Sequence, residues 1–187
     1  LKDLPRYECL LEAAREFPDL DPSATEVFLN LLRTGDEAFR VVESHLAQHD
    51  ITQGRFGVLM ALWANGGPAA DGAGTLSPAV LAERTGVTRA TITGLVDTLE
   101  RDGFVSRTPD QDDRRMLSVG LTARGEKLLR RILPEHFRRM AWLMEPLSEN
   151  ERKSLVRLLG KVMERAGERP ADVPVSVAAV PHSTVAD

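Results

Sequence analysis

The sequence predicts a mainly α-helical chain that carries one small β-hairpin. Three observations predict it. Apolar residues recur at i, i+3, i+4 and i+7 through most of the chain, the spacing of one helix face. Between Leu76 and Gly103 two short helical patterns are joined by a glycine turn, the helix-turn-helix arrangement. After Gly103 the apolar period drops from 3.6 to 2, as a half-buried strand requires. Together these read as a winged helix-turn-helix set inside a helical frame.

The composition fits a folded chain of one domain with a modest extension: 187 residues, 42% hydrophobic and 28% charged. No apolar run approaches the ~18–20 residues of a membrane helix, and no secretory apolar segment opens the chain. One cysteine, Cys9, excludes an internal disulfide framework and suits a reducing, cytoplasmic setting. The net charge is −4, but it is segregated. Residues 1–50 hold 11 acids against 5 bases, leaving 19 bases against 17 acids in the other 137 residues. Six bases against two acids lie between Arg124 and Arg139, so one positive face is compatible with an acidic chain.

Tyr7, Leu10, Leu11 and Ala14 mark the first helix, which Pro18 and Pro22 end. Ser23 reads as the N-cap of a long second helix, with Phe28, Leu31, Leu32, Phe39, Val42 and Leu46 on one stripe. Thr52 caps a third, whose Phe56, Leu59, Met60 and Trp63 face inward, and Asn65–Gly74 is a loop. Ser77 and Pro78 open a short fourth helix. Gly86 interrupts it, and Thr88 caps the next, which buries Ile92, Leu95, Val96 and Leu99 before Gly103 stops it. "FVSRT" and the alternating Leu117, Val119 and Leu121 form the hairpin, with "PDQDDRR" at its tip. Thr122 caps a long helix with Leu129, Ile132, Phe137, Met140 and Met144, kinked at Pro134. Ser148 to Glu151 is a capping box, followed by Leu155, Leu158, Leu159 and Val162. The segment 167–187, with three prolines, has no helical stripe and reads as a flexible tail.

The stretch "LAERTGVTRATITGLVDTLERDGFVSR" followed by "DRRMLSVGLTARG", within a helical frame of this order, resembles the MarR family of dimeric transcriptional regulators. The resemblance covers nearly the whole chain except the tail. It implies residues 1–52 for dimerisation, 53–122 for DNA binding and 123–166 again for dimerisation. The apolar stripes of the terminal helices, more than one small winged helix can cover, agree with a homodimer.

In the second helix of the motif the buried stripe leaves Arg89, Thr91 and Thr93 exposed near its N-terminus, where a recognition helix meets base edges. Ser77 and Thr88, which cap the two helices, are candidate DNA contacts as well. By resemblance, Asp113 and Arg115 occupy the wing's Asp-x-Arg positions, the arginine entering the minor groove and the carboxylate orienting it. A narrow A·T-rich groove favours such a guanidinium. Arg114 and, at the wing base, Arg107 are candidate phosphate contacts. A solvated turn stands as the alternative, and Asp110 and Asp112 would repel DNA.

The family's effector pocket implies Phe39, His45, His49, Arg55, Phe56 and Trp63 as ligand candidates. His45 or Arg55 would meet the carboxylate of an aromatic acid, and the rings would supply apolar walls. Phe56 and Trp63 also read as core. The N-terminal helix and "LSENERKSL" look like the urate-responsive branch, but the first helix has no Trp and Gly57 stands where that branch has Asp. His45 and His49, at i and i+4, also leave open a metal-responsive regulator. Balanced charge between Arg84 and Arg115, six arginines against six acids, leaves open a winged-helix interaction module that does not bind DNA. "GLTARGEK" has Glu126 where a phosphate-binding loop requires Lys, Cys9 lacks the surroundings that activate a thiol, and no catalytic constellation occurs. The expectation is therefore a repressor of a pseudo-palindromic double-stranded operator, released by a small molecule, with no cofactor and no enzymatic activity.

Overall fold

A computed structural model describes residues 3–66, 74–109 and 117–168. Its elements run α1 (Tyr7–Glu16), α2 (Pro22–Ala47), α3 (Gln53–Gly66), α4 (Pro78–Thr85), α5 (Arg89–Arg101), β1 (Val105–Pro109), β2 (Leu117–Leu121), α6 (Ala123–Met144) and α7 (Glu149–Gly167). The order is the predicted one. Two compact units form, one from the ends of the chain, up to Gly35 and from Met144, the other from Asp36–Leu143. No helix among the described residues is long and apolar enough to cross a membrane.

In the first unit, Leu10 is buried on α1, whereas Leu11, Val27, Phe28 and Leu32 are exposed. The cap of α2 is Asp21, not Ser23: its Oδ1 accepts from the Ala24 backbone N–H at 3.0 Å. Pro22 then takes the first helical position, where its missing donor costs nothing. α7 opens with the expected capping box between Ser148 and Glu151, and none of its residues is buried.

The second unit holds the main core. Leu46, Ile51, Phe56, Val58, Leu59, Leu62, Leu81, Ile92, Val96, Leu99, Val105, Val119, Leu129 and Ile132 form one buried cluster across its helices and hairpin. Asp50 sits at φ 54 and turns the chain out of α2, carrying Ile51 into the core before Thr52 caps α3. Asp tolerates that left-handed conformation better than most residues. α6 continues through Pro134. Its buried side is Leu128, Leu129, Ile132, Leu133 and His136, while the expected Phe137, Met140 and Met144 are exposed.

The hairpin departs from simple alternation. β1 and β2 pair antiparallel, Val105 opposite Leu121 and Arg107 opposite Val119. Leu117 is exposed, yet Ser118, Val119 and Gly120 are all buried. Leu76 supplies the reason. It bridges Val119 through two reciprocal 2.9 Å backbone hydrogen bonds, making a third strand-like neighbour that covers the far edge of β2. A Cβ on Gly120 would stand 3.0 Å from Thr75 Cγ2.

Three imidazoles lie close together in this unit. His45 and His136 stack with ring centroids 6.3 Å apart, His49 meets His45 edge-on at 5.2 Å, and Phe56 packs on His136 at 4.9 Å. His45 Nε2 lies 3.3 Å from the Ile132 carbonyl, which can only accept, so Nε2 carries the proton. Burial, and then the neighbouring His45, hold His136 below the ordinary value of 6.5. At His136 the unfolded chain therefore takes up its proton first, so the stability this group contributes is present above pH 6.5 and is lost as pH falls from there through its lower folded-state pKa. The melting temperature of the parent should drop between pH 7 and pH 5, and His136→Gln should show a shallower drop. Equal slopes would remove His136 from this account.

Gly125 marks the tightest approach in the unit. A Cβ there would lie 2.1 Å from the Phe104 carbonyl oxygen, a backbone atom that cannot step aside. We expect Gly125→Ala to lower stability in urea denaturation by about 3 kcal/mol or more, at or above the usual overpacking range. Gly35→Ala, in open space on α2, should instead raise it by roughly 0.5–1 kcal/mol. An unchanged midpoint for Gly125→Ala would mean that α6 can shift at no cost.

Candidate nucleic-acid interface and effector cavity

The helix-turn-helix is fixed by its caps. Ser77 accepts from the Val80 backbone N–H at 3.3 Å, and Gly86 closes α4 at φ 68 in the left-handed region. Thr88 Oγ1 accepts from the Thr91 backbone N–H at 3.1 Å and lies 2.8 Å from the Thr91 hydroxyl. Thr93 donates to the Arg89 carbonyl at 3.1 Å. Ile92, Val96 and Leu99 anchor one side of α5 in the core, which leaves Thr88, Arg89, Thr91 and Thr93 exposed together at its N-terminal end. Arg89 makes no ion pair with another described residue, so its charge and the positive end of the helix act on the same surface.

Arg107 is placed differently from the other candidates. Its Nη2 pairs with Asp97 at 2.5 Å, its Nη1 with Glu100, and its backbone N–H donates to Glu100 Oε1 at 3.1 Å. The hydrogen bond to Asp97 raises the Arg107 pKa above its already high ordinary value, against the effect of burial. Two carboxylates thus hold the guanidinium expected to anchor a phosphate. Asp113, Arg114 and Arg115, like Asp110 and Asp112, lie outside the described residues.

A cavity of about 850 Å³ opens in the same unit. It is lined by His49 and Asp50 after α2, Arg101, Asp102 and Phe104 at the end of α5, and Arg124, Lys127, Leu128 and Arg131 along α6. Four of these side chains are cationic and two are acidic, and Asp102 is already paired with Arg55. Burial, then Arg131 and His45, hold His49 below 6.5, with Asp50 opposing, so its imidazole is neutral at pH 7. Phe104 and Leu128 supply the apolar wall, and Arg124 stacks over the Phe104 ring at 5.1 Å. The size suits a small organic molecule, and the charge suits an anion.

Only His49 of the six ligand candidates lines this cavity. His45 and Phe56 are buried in the core, Trp63 packs against it, and Phe39 is exposed on α2. Arg55 lies behind the wall, ion-paired with Asp102 and stacked at 5.9 Å on Phe104. Helical spacing identifies an inward face, and here the inward face is core. The lining that sequence reasoning missed had its own signal: Arg124, Lys127, Leu128 and Arg131 fall at i, i+3, i+4 and i+7, one face of α6. That run reads as a DNA-compatible charge when taken as composition alone. His136 joins His45 and His49, yet no group of three or more His, Cys, Asp or Glu among the described residues could hold a metal ion, so the metal-sensor reading gains no support.

The model of the MarR family matches residues 49–116. The HTH-type transcriptional repressor YetL of Bacillus subtilis is 39% identical over 165 residues, covering 88% of this chain and 95% of that protein. Among solved structures, the Staphylococcus aureus MepR–DNA complex is 27% identical with a TM-score of 0.64, over 74% of this chain and 97% of that one. NadR in complex with 4-hydroxyphenylacetate is also 27% identical, with a TM-score of 0.59 over 73% of this chain and 91% of that one. Capped helix-turn-helix, hairpin and long flanking helices agree with these likenesses throughout: the chain belongs to the MarR family of transcriptional regulators and is not an enzyme.

Proposed function

We propose that two copies of this chain, in the cytoplasm, bind a pseudo-palindromic operator as a repressor and leave it when an aromatic acid occupies the cavity. The observation that carries the reading is the exposed, cap-fixed N-terminal end of α5, where Arg89, Thr91 and Thr93 stand clear of the core. Thr and Arg there serve base edges and phosphates alike. YetL is named a repressor, and the MepR structure holds DNA, which supports carrying this role across. Ser77 and Thr88 act chiefly as caps beside the contact surface. Asp113, Arg114 and Arg115 enter through the family resemblance of the wing.

The dimer follows from apolar surface. Leu155, Val156, Leu158, Val162 and Met163 are all exposed on α7, and Phe28 and Leu32 are exposed on α2. Such faces need a partner, and a two-fold dimer places two recognition helices about one helical turn (~34–36 Å) apart. NadR, solved with 4-hydroxyphenylacetate, makes an aromatic acid the first effector to try here.

Arg89→Ala should weaken binding to a duplex enriched from a randomised pool by roughly tenfold or more, within the 1–3 kcal/mol of one specific contact. Thermal melting should not change. Anisotropy titrations at several salt concentrations check this, and a parent protein with no steep salt dependence would favour the interaction-module reading instead. For the cavity, 4-hydroxyphenylacetate and related aromatic carboxylates should release the parent from that duplex. Lys127→Ala with Arg131→Ala should raise the required concentration at least tenfold, about 1.4 kcal/mol, without loss of DNA affinity. Release at the parent concentration would place the effector elsewhere.

A further inference from the structure

We infer that Arg107 is a positioning residue that locks the hairpin to the recognition helix, and that it does not itself contact DNA. The inference rests on the DNA-binding reading for its purpose and on the ion-pair geometry for its substance. Arg107 stands on β1 opposite Val119, the residue whose other edge is held by Leu76. Its two terminal nitrogens go to two different carboxylates, Asp97 and Glu100, which lie one turn apart on α5. Glu100 also receives the Arg107 backbone N–H, so one side chain of α5 grips both the strand and its guanidinium. These contacts tie the base of the wing to the C-terminal half of the helix whose N-terminal half carries Arg89, Thr91 and Thr93.

Charge decides against a phosphate contact. One guanidinium faces two carboxylates, so the cluster is net negative, and a phosphate could take Arg107 only by leaving a carboxylate unpaired. Its side chain is 24% exposed, against 57% for Asp97, so the acid is the more accessible partner. The planar fork of arginine can span two acceptors with fixed geometry, which the point charge of a lysine cannot. A lock of this kind sets the offset between the major-groove surface of α5 and the wing. It therefore acts on how well both engage one operator at once.

The test uses the full-length chain, the duplex enriched from a randomised pool by the parent, and the variants Arg107→Lys and Asp97→Ala with Glu100→Ala. A positioning role predicts that both variants lose operator affinity about tenfold, although the second removes two negative charges. A phosphate contact predicts that Arg107→Lys binds as the parent does. It also predicts that the double variant binds more tightly, with a salt slope steeper by about 0.9 as the freed arginine reaches a phosphate. Either of these outcomes overturns the inference. Hydrogen exchange on the DNA-free protein supplies a second readout: β2 amides should exchange faster in Arg107→Lys than in the parent, and unchanged exchange overturns the lock. Asp97→Ala alone, which removes the more exposed partner, serves if the double variant unfolds. Should the parent enrich no duplex, the DNA-binding reading fails, while the exchange measurement still decides the lock.

Discussion

The second unit depends on the close approach of α6 to the end of the recognition helix. Gly103, at φ 75, turns the chain out of α5, and Thr122 donates its hydroxyl proton to the Gly103 carbonyl at 2.7 Å. The Thr122 backbone N–H donates to the Phe104 carbonyl at 3.1 Å, and its hydroxyl oxygen accepts from Gly125 at 3.1 Å to start α6. One threonine therefore closes the hairpin, caps α6 and binds the segment that follows α5. Gly125 makes this possible, because any side chain there would collide with the Phe104 carbonyl. The recognition helix, wing and α6 are consequently held at a single junction, and Phe104, fixed by it, becomes a wall of the cavity.

Much of this was legible because each local signal had one physical meaning. Ser77, Thr88, Thr122 and Ser148 are caps whose side chains satisfy helix N–H groups, and each was recognisable from its place before an apolar run. Gly86 and Gly103 both occupy the left-handed region that the turn and the helix end demand. The failures have equally definite causes. Ser23 reads as a cap by residue type alone, but Pro22 fits the first helical position, which puts the cap at Asp21. Alternation in β2 could not reveal Leu76, 43 residues before Val119 in the sequence, because a bridge of one residue leaves no periodic trace.

The candidate site was half legible for the same reason. A recognition surface is local: its caps, buried stripe and exposed residues all belong to one helix of 13 residues. A cavity is not local. His49, Arg101, Phe104 and Arg131 come from two helices, α5 and α6, and from the segments that follow α2 and α5, and their meeting depends on the packing at Gly103, Thr122 and Gly125. Periodicity could mark the Arg124, Lys127, Leu128 and Arg131 face but not say what it faces. Arg107 shows the complementary limit, since its charge looked free until Asp97 and Glu100 came into place beside it.

The position of the cavity bears on how an effector could reach the operator surface. Arg101 and Asp102 are the last residues of the recognition helix and its C-cap, and both line the cavity. Asp102 is simultaneously held by Arg55 from the first turn of α3, whose Nε is buried with no hydrogen-bond partner. On the proposed reading, an anion drawn to Arg101, Arg124, Lys127 and Arg131 places its charge beside Asp102, and so at the end of α5. Such a ligand couples to DNA only through a difference in affinity between two arrangements of that helix, and by linkage DNA must weaken ligand binding by the same factor. The Arg55–Asp102 pair is where that difference would be made, because it is the charged contact shared by the cavity wall and the helix end. Release and recognition then meet at opposite ends of one short helix.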